Sequence, residues 1–114
     1  MPNQASDVDG EAAAPAPATA PGWTFLTNHA HVLLAIARDQ HMTLRDVAAA
    51  VGITERATQK IVADLEAAGY LTRTREGRRN RYTIAAHRPF RHPMTAGHEV
   101  DELLRILGVG TGIR

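Results

Sequence analysis

The sequence predicts a single, mainly α-helical domain with one small β-hairpin and a closing C-terminal helix. Three observations carry this. Apolar residues recur at helical spacing in three successive stretches between residues 28 and 68, each marked off by a capping residue or a glycine. A run of β-favouring residues, YLTRTREGRRNRYTI, is broken in its middle by a polar, glycine-containing turn. A last apolar stripe, Val100, Leu103, Leu104 and Leu107, follows the i, i+3, i+4, i+7 pattern. At 114 residues the chain has material for one modest core.

Residues 1–22 are dominated by Pro, Ala and small polar residues, and their only charged side chains are Asp7, Asp9 and Glu11. Such a segment buries too little apolar surface to offset its ordering entropy, so it is expected to be a disordered tail. It has no basic stretch leading into an apolar run, and no segment approaches the length of a membrane span, so neither secretion nor a membrane is expected. The chain has no cysteine, which excludes disulfide frameworks, thiolate metal sites and cysteine nucleophiles, and fits a reducing, cytoplasmic setting. Trp23, Phe25 and Leu26 open the domain as a short lead-in expected to pack onto it.

The first helix has Asn28 as its candidate N-cap, a stripe of Ala30, Leu33, Leu34 and Ala37 widened by Val32 and Ile36, and an end near Asp39. The second is capped by Thr43. Asp46 sits at its positive dipole end, and Leu44, Val47, Ala48 and Val51 face inward. Gly52 follows as a residue that takes the left-handed conformation without a Cβ penalty. The third helix has Ile53 before its cap, Thr54 as the cap, and Ile61, Val62, Leu65 and Ala68 facing inward, and it stops at Gly69. The hairpin has arms at about residues 71–75 and 81–84, joined through Glu76, Gly77, Arg78 and Arg79. A proline-punctuated link, residues 87–93, leads to a fourth helix over residues 99–107. The expected organisation is a tail at 1–22, a domain at 23–93 and a C-terminal helical segment at 94–114.

Net charge is only +1, but it is unevenly distributed: residues 70–93 carry seven arginines against Glu76 alone, a local charge of +6. Charge density of that kind points to a polyanionic partner, the plain alternative being a solvated arginine-rich loop.

The second and third helices are joined by so short a turn that they must cross closely. The residues LRDVAAAVGITERATQKIVADL resemble the winged helix-turn-helix of MarR-like and ArsR-like bacterial regulators, with Val47, Ala48, Val51, Gly52, Ile53 and Ile61 on the motif. Ala48 suits the close crossing of the helices and Gly52 the turn. Thr58 departs from the usual Val or Ile; its methyl group is expected to be buried while its hydroxyl bonds back to a helix carbonyl. The stretch EAAGYLTRTREGRRNRYTI resembles the wing of the same families, and the joint resemblance covers residues 28–84.

The resemblance implies a regulator that binds double-stranded DNA with its third helix in the major groove. Arg56, Gln59 and Lys60 are then the candidate base readers: Arg56 fits guanine O6 and N7, Gln59 fits adenine N6 and N7, and Lys60 fits a base or a phosphate. Glu55 is read as complementing the helix dipole. The phosphate candidates are Arg73, Arg75, Arg78, Arg79 and Arg81 on the wing, with Arg78 and Arg79 placed at its tip, and Thr54 as a secondary one. A solvated face is the alternative for each.

Other chemistries are weaker. His29 and His31 diverge by about 200° on a helix and do not chelate together. His87, His92 and His98 raise a metal site of the ArsR-like kind, but their spacing shows no ligand pattern, so no metal and no cofactor are expected. No nucleophile elbow, phosphate-binding glycine loop or HExxH occurs, and no enzymatic activity is expected. A winged-helix module that binds another protein, or a metal- or ligand-responsive sensor, is the competing function; a chain this short leaves little beyond the DNA-binding core to build a pocket. The stripe Val100, Leu103, Leu104 and Leu107 is expected to form a homodimer, against the alternative that it folds back onto its own core and takes Ile106 with it.

Overall fold

The computed structural model describes residues 22–108; the tail expected at 1–22 lies outside them but for Gly22. The elements run α1 (Asn28–Arg38), α2 (Leu44–Val51), α3 (Glu55–Ala67), β1 (Leu71–Glu76), β2 (Arg79–Ile84) and α4 (Val100–Ile106). The mainly helical, single-hairpin class expected from the sequence is the one observed.

The helix ends follow their caps. The Asp46 N–H donates to Thr43 Oγ1, and the Ala57 N–H donates to Thr54 Oγ1, both at 3.0 Å, so each helix of the turn starts where a threonine satisfies an orphan donor. Gly52 closes α2 with φ +89°. α1 differs by one residue from expectation: Thr27 holds the cap position, in extended conformation, and Asn28 is the first helical residue. Asn28 Oδ1 is instead paired with His31 Nδ1 at 3.1 Å.

The core gathers Val32, Leu33 and Ile36 of α1, Val47 of α2, and Ile61, Val62 and Leu65 of α3 against Leu71, Tyr82 and Ile84 of the hairpin. Thr58 has no exposed surface, and its hydroxyl donates to the Thr54 carbonyl at 3.0 Å, the back-bond expected of it. Ala68, expected inward, is only half-buried.

The hairpin is antiparallel in a register running from Leu71 opposite Ile84 to Glu76 opposite Arg79. Its turn is therefore two residues, Gly77 and Arg78, and not the four expected. Gly77 at φ +63° lets the strands close early, so Glu76 and Arg79 pair as strand residues. One backbone bond, from the Tyr82 N–H to the Gln40 carbonyl at 3.0 Å, ties β2 to the turn between α1 and α2.

α4 folds back onto the same core. The Val100 N–H donates to the Arg88 carbonyl at 3.0 Å and the Asp101 N–H to the Ala86 carbonyl at 2.8 Å, while Tyr70 Oη donates to the Pro89 carbonyl at 2.8 Å. Val100 and Leu104 are completely buried within their own chain. This corrects their expected role as a dimer seam, and it makes α4 continuous with the domain expected to end at residue 93. Ile106 is not carried in with them and is 80% exposed. The lead-in also departs from expectation: Trp23 and Phe25 are 68% and 93% exposed and meet edge-on at 5.7 Å, because the face of α1 and α3 beside them is left open as a groove.

Candidate nucleic-acid interface

Burial of Thr58, Ile61, Val62 and Leu65 fixes which side of α3 faces water. Arg56, Gln59 and Lys60 lie on that side at i, i+3 and i+4, all exposed. The arrangement presents a fork of donors, an amide and an ammonium on one stripe. Lys60 Nζ is 3.7 Å from Asp64 Oδ1, a loose surface pair that leaves the lysine side chain 79% exposed. Asp64 is held more firmly by His29, whose Nε2 is 2.9 Å from Oδ2; this hydrogen bond, with Lys60 adding to it, keeps the Asp64 carboxyl below the usual aspartate value. Glu55 stands in the first turn, where a carboxylate complements the dipole. Thr54 is exposed, and its hydroxyl is already engaged as the cap.

The five hairpin arginines are not equivalent. Strand alternation places Arg73 and Arg75 on one face and Arg79 and Arg81 on the other, with Arg78 in the turn between them. Arg73 Nε is 3.3 Å from Glu66 Oε2 at the end of α3. Arg75 Nε donates to the Gly77 carbonyl at 2.9 Å. Arg81 Nε is buried 2.8 Å from Glu76 Oε2, a charge contact without hydrogen-bond alignment. Arg79, expected at the tip, is the first residue of β2 and turns back to donate from Nη2 to the His41 carbonyl at 2.8 Å. Among the described residues, Arg78 is exposed and has no ion-pair or hydrogen-bond partner for its side chain.

His41 escaped the sequence reading. Its carbonyl receives Arg79, and its Nε2 is 3.3 Å from Glu76 Oε1. A histidine in a short interhelical turn has no periodic signature, and its partner Glu76 is 35 residues away.

Towards the C-terminus, α4 leaves Leu103 half-buried and Leu107 exposed. Leu103 borders an apolar groove of about 790 Å³ with Phe25, Leu33, Leu65, Tyr70 and Phe90. The expectation that so short a chain has little room for a pocket is thus corrected: α4 returns over the ends of α1 and α3 without filling the space between them. His87 Nδ1 meets Glu99 at 2.9 Å and His98 Nδ1 meets Glu102 at 2.7 Å, and among the described residues no three His, Asp or Glu side chains converge as metal ligands. No helix of the described residues is long and apolar enough to cross a membrane.

A family model described as the MarR family matches residues 24–81, just over half of the chain, from the lead-in through α1, α2, α3 and β1 into β2. Comparison with curated proteins and with solved structures gave no match. The match supports the MarR-like half of the resemblance and gives none to the ArsR-like half. The turn of threonine-capped helices, β1 and the start of β2 fall within the matched residues, and the chain belongs to the MarR family.

Proposed function

We propose that this protein binds double-stranded DNA sequence-specifically and regulates transcription, with α3 in the major groove and the hairpin wing on the phosphate backbone. Membership of the MarR family implies DNA-binding transcription regulation in general. The finer reading rests on one observation: Arg56, Gln59 and Lys60 project from a helix whose opposite face is locked into the core, and an arginine-rich hairpin follows directly in the chain. Arg56 forks onto guanine O6 and N7, Gln59 bonds adenine N6 and N7, and Lys60 takes a base or a phosphate. Thr54 and the wing arginines, Arg78 first among them, supply phosphate contacts that set register without carrying sequence information. A winged helix that docks on another protein has no need of this basic face, and the charge favours DNA.

Two copies are proposed to act together. Leu103 and Leu107, with the exposed Ile106 and Phe25, form the apolar surface for a symmetric pair, which sets two α3 helices about 34 Å apart on a roughly palindromic site. The groove favours a second reading, a regulator whose DNA affinity changes when a small apolar molecule enters it. Selection of bound duplexes from a random pool, with and without added apolar compounds, tests all three. A recurrent inverted repeat is expected; an arbitrary pool that binds as well as any selected duplex would remove the specific reading.

A further inference from the structure

We propose that Arg79 is a positioning residue that latches the wing to the turn between α1 and α2, so that Arg78 is the arginine the wing delivers to phosphate. This rests on the DNA-binding reading above. A two-stranded hairpin alone is marginally stable in water and needs contacts to the body of the protein to hold one direction. Here the root is secured by buried Leu71, Tyr82 and Ile84, by the Tyr82–Gln40 backbone bond and by the Arg73–Glu66 pair. Beyond those residues, among the described ones, the polar contacts between hairpin and body both go to His41: Arg79 Nη2 to its carbonyl at 2.8 Å and Glu76 Oε1 to its ring at 3.3 Å.

Arg79 and Glu76 face each other across the hairpin, so the two strands are held at a single point of the turn. Glu76 engages His41 with one oxygen and Arg81 with the other, 2.8 Å from its Nε, which occupies Arg81 as well. The tip then leans over the start of α2, where Thr43, Leu44, Arg78 and Asn80 border one recess of about 150 Å³. The wing's angle is thereby referred to the helix pair that presents α3.

A double-mutant cycle separates a latch from a contact. Affinity for a selected duplex is measured across a salt series for the full chain and for Arg78→Ala, Arg79→Ala and the double variant. Independent phosphate contacts lower the log-log salt slope by about 0.9 each, and by twice that together. A latch acting through Arg78 makes the double variant no worse than either single one, with all three slopes reduced by about 0.9. In the free protein, exchange of the Tyr82 amide speeds up in Arg79→Ala and not in Arg78→Ala, a readout that needs no DNA. Additive slope losses, or unchanged Tyr82 exchange, overturn the latch. An unchanged slope in Arg78→Ala overturns the delivery of Arg78, whereas failure of the full chain to bind any selected duplex removes the DNA-binding reading itself.

Discussion

Thr58 marks how far a single residue's physics is readable in advance. It stands at an apolar position of α3, completely buried, with its hydroxyl returned to the Thr54 carbonyl, which also accepts the Thr58 N–H in the helix ladder. Because that carbonyl keeps its backbone donor, Thr58→Val is expected to change stability by less than about 1 kcal/mol in denaturant unfolding, since hydroxyl and hydrogen bond leave together. Thr58→Ala, which also empties the methyl site, is expected to cost more. A loss of several kcal/mol in Thr58→Val would mean the hydroxyl has a role beyond its own helix. The wing arginines behaved differently. Their charge was plain in the chain, but their assignment was not, because Arg73, Arg79 and Arg81 are occupied by Glu66, the His41 carbonyl and Glu76, none of them the direct cross-strand partner of its arginine and His41 38 residues away. Local composition reports how much charge a segment carries, and only tertiary contacts decide which side chains remain available.

At the scale of elements, the stripes of α1 to α3 and the caps and closing glycines of α2 and α3 were legible because each is a short-range relation, while the α1 cap fell one residue earlier than expected, at Thr27. Thr43 with Asp46, and Thr54 with Ala57, are three residues apart. The fate of α4 was not legible, since an apolar stripe specifies that it must be covered and not by what. The structure settles Val100 and Leu104 in cis, so Leu104→Ala is expected to cost about 2–5 kcal/mol in a denaturant titration. Truncation after residue 93 is expected to unfold the domain; a stable folded fragment would show α4 to be dispensable. The start of α4 also titrates. His87 is raised above 6.5, first by its hydrogen bond to Glu99 and then by that carboxylate's charge, with Asp101 adding to it and Arg105 opposing. Its contribution is present below 6.5 and is lost as pH rises through the raised value. Glu102 is lowered from 4.5 by hydrogen bonds from His98 and the Glu99 N–H, so its contribution is present above 4.5 and lost as pH falls through the lowered value. The helix start is therefore firmest between 4.5 and 6.5. An NMR titration of His87 is expected to show a midpoint above 6.5 that falls in Glu99→Gln; an unmoved midpoint would contradict the pairing.

The whole molecule sets different surfaces to different tasks. Arg56, Gln59, Lys60 and the wing gather polar and positive groups on connected elements, while α4, the lead-in and the ends of α1 and α3 enclose an apolar groove. The net charge of +1 conceals the first, and no periodic signal announces the second, because it arises from the return of α4 across elements distant in sequence. Light scattering at rising concentration is expected to show a dimer that Leu103→Asp with Leu107→Asp converts to a folded monomer; a chain monomeric throughout would contradict the paired arrangement. The central claim is that α3 reads base edges, and it is tested most directly by selecting bound duplexes with the full chain and with Arg56→Ala and Gln59→Ala. Each variant is expected to lose discrimination at one or two positions by about 1–3 kcal/mol while the rest of the selected site stands. Identical selected sites from all three proteins would contradict it.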